Sequence, residues 1–179
     1  MARLLQIAEL GHPVLDTRAE EVKDPQSPVI QELADDMLAT LDDIGGFGLS
    51  APQVYESLKI FVTITYPSSS FPNAPRKEPT VVVNPEILQK SEKEVSDWES
   101  CLSIPGLRGR VSRAHSIKVR YTTREGDKIE RELSGIPARA FQHEHDHLEG
   151  IVFLDRMKSV KDLVTEKEYK KIVARKKGD

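Results

Sequence analysis

A chain of 179 residues with 31% charged and 38% hydrophobic side chains has the size and balance of one ordinary soluble domain with a real core, and 1–179 reads as a single domain. Its net charge of −3 gives no reason to expect wholesale binding to DNA or to an anionic membrane. A single cysteine, Cys101, excludes an intrachain disulfide; no apolar run approaches a membrane span and no signal-peptide pattern opens the chain, so the expected location is the cytoplasm, with an organellar origin after transit-peptide removal left open.

Gly11-His12-Pro13 is a turn signal, and Asp24-Pro25-Gln26-Ser27-Pro28 is a second, ending in an N-cap serine and a proline at the first helical position. Ile30, Leu33, Met37, Leu41 and Ile44 then recur at helical spacing while Asp35, Asp36, Asp42 and Asp43 fall elsewhere, which predicts an amphipathic helix stopped at Gly45-Gly46. In Gly46-Phe47-Gly48-Leu49-Ser50-Ala51-Pro52-Gln53, small residues let the backbone pass close to a ligand, and Gln53 adds an amide donor. Taken alone, this run reads as a tight structural turn.

Residues 59–66 alternate β-branched and aromatic side chains and predict a strand; 67–75 read as an exposed loop. Further strands are predicted at 80–84, 86–89, 116–122 and 128–133, the last two joined as a hairpin by Glu125-Gly126-Asp127. Between them lies Trp98-Glu99-Ser100-Cys101-Leu102-Ser103-Ile104-Pro105-Gly106. Here Pro105 and Gly106 predict a turn just beyond Cys101, which would present its thiolate from a strand end.

Gln142-His143-Glu144-His145-Asp146-His147-Leu148-Glu149-Gly150 contains the His-Glu-x-x-His spacing. On a helix it places His143 and His147 on one face, able to reach one ion, with Glu144 beside them as general base for a water on that ion. Such sites usually take a third protein ligand. The position where a metzincin would carry a third His holds Phe153; Glu166 and Glu168 stay formally open, and Cys101 is the better candidate. His12 and His115 read as ordinary surface or packed histidines, and His145 lies roughly 200° around the helix from His143. Ile136 and Ala140 share the metal face as an apolar wall, with Arg139 close by. Asp146 is either a partner fixing a ligand or an arginine, or a surface ion pair. Thr165 and Glu168 suggest a capping box for a last helix. Its Lys170, Lys171, Arg175, Lys176 and Lys177 read first as a solvated end complementing the helix dipole, and second as a ribosome contact.

Three segments in fixed order, Gly46 to Gln53, Glu99 to Ser103 and Gln142 to Leu148, together closely resemble peptide deformylase, across nearly the whole chain. The resemblance implies a catalytic domain that removes the formyl group from N-formylmethionine at the start of a nascent peptide, releasing formate. It implies Cys101, His143 and His147 as metal ligands, Glu144 as base, and Gln53 with the Leu102 N–H as oxyanion donors. It also implies Gly48, Phe47, Glu99, Ile136, Arg139 and Ala140 around the substrate. Ligand type alone suggests zinc; the resemblance puts Fe(II) first, one per chain, replaceable by zinc, nickel or cobalt. Ser100 stands where the family usually has Gly, Ser50 where Ala is frequent, and Arg139 where many bacterial members are apolar, although Arg occurs in the organellar-like branch. Two other functions remain in view: a metallopeptidase cutting internal bonds, and a non-catalytic, metal-stabilised ribosome-docking protein. The expected fold is α+β, antiparallel strands packed around a central metal-bearing helix.

Overall fold

The computed structural model describes residues 2–68 and 73–176, so part of the 67–75 loop and Lys177 lie outside the described residues. The apolar stripe of Ile30, Met37 and Leu41 forms the buried face of helix α1 (Pro28–Ile44), which begins at the predicted proline and stops at Gly45, φ 72°. Ser27 precedes it, but its hydroxyl donates to the Asp24 carbonyl and leaves the helix N-terminus uncapped by a side chain. Asp36, expected off the core face, is also buried, because the Arg3 backbone N–H (2.7 Å) and Nε (3.0 Å) donate to its carboxylate.

Five antiparallel strands form one sheet in the order β1 (Gly48–Ser50), β2 (Ile60–Thr65), β3 (Lys77–Lys90), β6 (Ser116–Thr122) and β7 (Lys128–Ser134). Strand alternation sends Ile60, Val62, Val81 and Val83 to a core under α1, and Phe61, Val82, Val119 and Tyr121 to a core under helix α2 (Gly135–Leu148). The sheet therefore sits between two helices. The strands predicted at 80–84 and 86–89 are one strand, bent where the register shifts between Val83 and Glu86. Asn84 takes the bend at φ 48°, and its amide accepts from the Val22 N–H (2.9 Å) and donates to the Val22 carbonyl (2.8 Å).

A second sheet has the order β4 (Glu94–Cys101), β5 (Ile104–Ala114) and β8 (Leu163–Thr165). Cys101 pairs with Ile104, so the tight turn is Leu102-Ser103, and Pro105 and Gly106 belong to β5. The expected turn is thus displaced by three residues: β8 pairs with β5 only from Leu107 to Gly109, leaving Pro105 where no ladder bond to that side is required. Helix α3 (Glu166–Lys176) follows β8, with the Glu168 N–H donating to Thr165 Oγ1 (3.3 Å). Helix α2 contacts both sheets and lies at their junction. Among the described residues, no helix is long and apolar enough to cross a membrane.

Replacing Asn84 by Ala removes both bonds to Val22 and leaves a Cβ residue with positive φ; urea denaturation should show a loss of about 2 kcal/mol with an unchanged m-value.

Candidate metal centre and active site

Helix α2 carries His143 and His147 one turn apart, their rings edge-on with centroids 5.1 Å apart. The end of β4 brings Cys101 beneath them, with Sγ 3.2 Å from His147 Nε2. One ligand atom from each of the three residues lies within 4.8 Å of the others. His143 directs Nδ1 at Glu99 Oε2 (3.0 Å), which leaves Nε2 for the centre.

Glu99 is buried and is met by Arg113 from β5, whose Nε and Nη2 reach its two oxygens at 2.7 and 2.8 Å, and by Arg139 Nη1 at 2.6 Å. Arg113 also donates from Nη1 to Asp146 (2.6 Å), and Arg156 donates to both Asp146 oxygens. A chain of alternating charge, buried at Glu99, Arg113 and Asp146 and reaching the surface at Arg156, therefore runs behind the metal face of α2. Burial opposes the charge on Glu99, but hydrogen bonds from Arg113 and His143 outweigh it and hold the carboxyl well below its usual range. Burial likewise opposes a Cys101 thiolate; His147 and His143 outweigh it and hold the thiol well below its ordinary value. For His143, burial disfavours the imidazolium, and Cys101 and Glu99 reverse the balance and push it up. Burial pushes Glu144 up to about 7, against the pull of the two histidines.

These residues fit a divalent cation. A thiolate and two imidazoles converge at the floor of a cleft, and Glu144 Oε2 is buried beside them without a hydrogen-bond partner. Gln53 stands in a 3₁₀ turn (Ala51–Val54) with its Oε1 accepting from Ser50 N–H (2.9 Å) and Ser50 Oγ (3.0 Å). That anchoring fixes the amide so that Nε2 faces Cys101 Sγ (3.4 Å) and Ser103 Oγ (3.3 Å), beside the metal face. On the opposite wall, a Cβ on Gly48 would lie 2.6 Å from Glu144 Cδ, so only glycine lets β1 pass so close to that carboxylate. β1 is the edge of its sheet, with backbone groups on its outer side open to an extended peptide.

A cavity of about 360 Å³ opens over the centre, lined by Phe47, Gly48, Gln53, Glu99, Cys101, Leu102, Ile136, Arg139, Ala140, His143 and Glu144. His147 lies beneath it, 1% exposed. Glu99 and Arg139 border the cavity, but their charged groups are turned to one another and to the histidine. Ser100 lies exposed in β4 without a positive φ, so its departure from glycine strains nothing. His145 is on the far face of α2, in a polar groove with Lys59 and Lys90. His12 is exposed, accepting the Val14 N–H, and Asp146 takes arginines instead of a surface pairing. Sequence reading missed Arg113, Arg156, Trp98 and Arg108, the last two also on the cavity wall. The only signal for Arg113 was its setting between Val111 and Ala114, two apolar residues in a basic run.

The family described as polypeptide deformylase matches residues 4–163. Peptide deformylase 2 of Nostoc sp. is 42% identical over 172 residues, covering 96% of this chain and 96% of that protein. Peptide deformylase 2 of Shewanella oneidensis is 41% identical over 152 residues, 85% of this chain and 83% of that one. Among solved structures, the class I type b peptide deformylase of Acinetobacter baumannii with Met-Ala-Ser bound is similar at a TM-score of 0.85 and 40% identity, over 88% of this chain and 100% of that one. The peptide deformylase of Thermotoga maritima gives 0.78 and 35%, over 87% and 99%.

The centre makes a direct prediction. Metal-free protein should take up one Co(II) per chain with a near-ultraviolet thiolate-to-cobalt absorption, and Cys101→Ala should lose that band and most of the affinity. Undiminished binding by Cys101→Ala would remove the thiolate from the ligand set.

Proposed function

The chain belongs to the polypeptide deformylase family, and we propose that Cys101, His143 and His147 hold its ion, Glu144 handles the proton, and Gln53 with the Leu102 N–H receives the developing oxyanion. It is a metal-dependent enzyme that removes the formyl group from N-formylmethionyl nascent peptides, with release of formate. The observation that carries the residue assignment is the convergence of three ligand atoms within 4.8 Å beside the buried, partnerless Oε2 of Glu144.

A divalent ion in that triad would supply Lewis acidity, activating water and polarising the formyl carbonyl. The reaction forms a bond from the water oxygen to the formyl carbon and breaks the bond from that carbon to the methionine nitrogen. Glu144 takes the water proton and returns it to the leaving nitrogen, so the products are formate and a free amino terminus. Gln53 Nε2 is held by the Ser50 contacts on its other end, so it needs no reorganisation to donate to the carbonyl oxygen as charge builds there. Backbone groups of Gly48 on the free edge of β1 suit an extended peptide, and Phe47, Ile136 and Ala140 supply apolar surface for the methionine side chain. The Acinetobacter baumannii relative, whose structure holds Met-Ala-Ser, supports a methionyl peptide in the equivalent cleft.

Fe(II) is our first choice of ion by family resemblance; sulfur and imidazole donors suit zinc, nickel and cobalt as well. The cytoplasm is the setting we assign, and the exposed, basic end of α3, with Lys170 and Arg175, is the surface we assign to a transient ribosome contact. A purely structural ion would want a fourth protein donor, and among the described residues the cluster has three.

Glu144→Gln should abolish formate release while keeping the ion, as measured by metal content and turnover of a formyl-methionyl peptide. Gln53→Ala should lower kcat by about 10²–10³ with metal content unchanged. Full activity in Glu144→Gln would remove the proposed base.

A further inference from the structure

The groups that meet at Glu99 carry an inference that rests on the metal site proposed above. Glu99 Oε1 accepts from Arg113 Nε (2.7 Å) and Arg139 Nη1 (2.6 Å); Oε2 accepts from Arg113 Nη2 (2.8 Å) and faces His143 Nδ1 (3.0 Å). A carboxylate offers about four lone-pair sites, so Arg139 fills the last one. Arg113 does not serve Glu99 alone, since its Nη1 is drawn to Asp146 at 2.6 Å. Arg139 stands one turn before His143 on α2, and its other contacts are the backbone carbonyls of Val111 on β5 (3.1 Å) and Val95 on β4 (2.5 Å). One side chain thus ties the helix that carries two of the ligands to both strands of the hairpin that carries the third.

We propose that Arg139 is a positioning residue for the metal centre, acting through Glu99 to fix the His143 ring, and not a wall that selects the methionine side chain. Its side chain is 11% exposed, and its guanidinium is occupied by Glu99 and the hairpin carbonyls. A lysine here would bring one compact ammonium in place of a planar fork and could not reach all three acceptors together. Groups that orient a metal-binding histidine typically change metal affinity by about 10–100-fold when removed.

The test follows release of Co(II) from loaded protein to an excess of chromogenic chelator. It compares wild type, Arg139→Gln, Arg139→Lys, Glu99→Ala and the double variant Glu99→Ala/Arg139→Gln. Arg139→Gln should release the ion about tenfold faster with KM for a formyl-methionyl peptide unchanged, and Arg139→Lys should also be faster than wild type. In the Glu99→Ala background Arg139→Gln should add nothing, because the two residues act as one unit. A raised KM with unchanged release would make Arg139 a pocket wall. A further acceleration on top of Glu99→Ala would show that it acts independently, and a lower Tm with unchanged release would leave it a structural tie; each of these overturns the proposal. If Arg139→Gln fails to fold, Arg139→Lys carries the same comparison. Wild-type protein that takes up no Co(II) would overturn the metal reading itself, a result that no ranking of variants resembles.

Discussion

A carboxylate with 5% of its residue exposed must be matched by cations and N–H donors, and at Glu99 that requirement draws the molecule together. Glu99 is on β4, Arg113 on β5, and Arg139 and His143 on α2, so satisfying one charge docks the small sheet against the helix that the large sheet also packs on. Asp146 and Arg156 extend the pairing to the next turn of α2 and to the segment beyond it. With that docking in place, Cys101 at the end of β4 lies beneath the two histidines. The ligand set is therefore a product of how two sheets share one helix.

A second constraint acts from the other side of the cavity. β1 passes so close to Glu144 that a side chain at Gly48 would overlap it, and Gln53 is fixed by Ser50 at the end of the same strand. The groups assigned to proton transfer, oxyanion binding and peptide docking thus face one another across a gap set by backbone approach. Rigid placement of this kind is what a hydrolytic site needs, because donors aimed in advance lose nothing to reorganisation when charge develops.

Much of this was legible in the sequence, and the reasons differ by element. Helix α1, strand β2 and the β6–β7 hairpin announce themselves through local periodicity and turn residues, which depend on neighbours a few residues apart. The His143 and His147 pairing is of the same kind, since helical geometry alone brings the two together. The long β3 looked like two strands because the bend at Asn84 is stabilised by Val22, a partner far away in the chain. β4 and most of β5 were hidden because Glu99 and Arg113 place charges on the buried faces of these strands. The pairing of Glu99 with Arg139 and Arg113 was hidden for a related reason: a charged side chain shows its counter-charge only once the fold brings the two together. Tertiary pairing of opposite charges leaves no periodic trace.

The measurement that bears most directly on the account is formate release from a formyl-Met-Ala-Ser peptide by anaerobically prepared protein loaded with Fe(II) or Ni(II), with the acetylated and unblocked peptides alongside. Rapid formate production from the formyl peptide, with the other two left intact, is the result this structure predicts. Folded, metal-loaded protein that releases no formate, or that cuts internal bonds of the unblocked peptide, would contradict it.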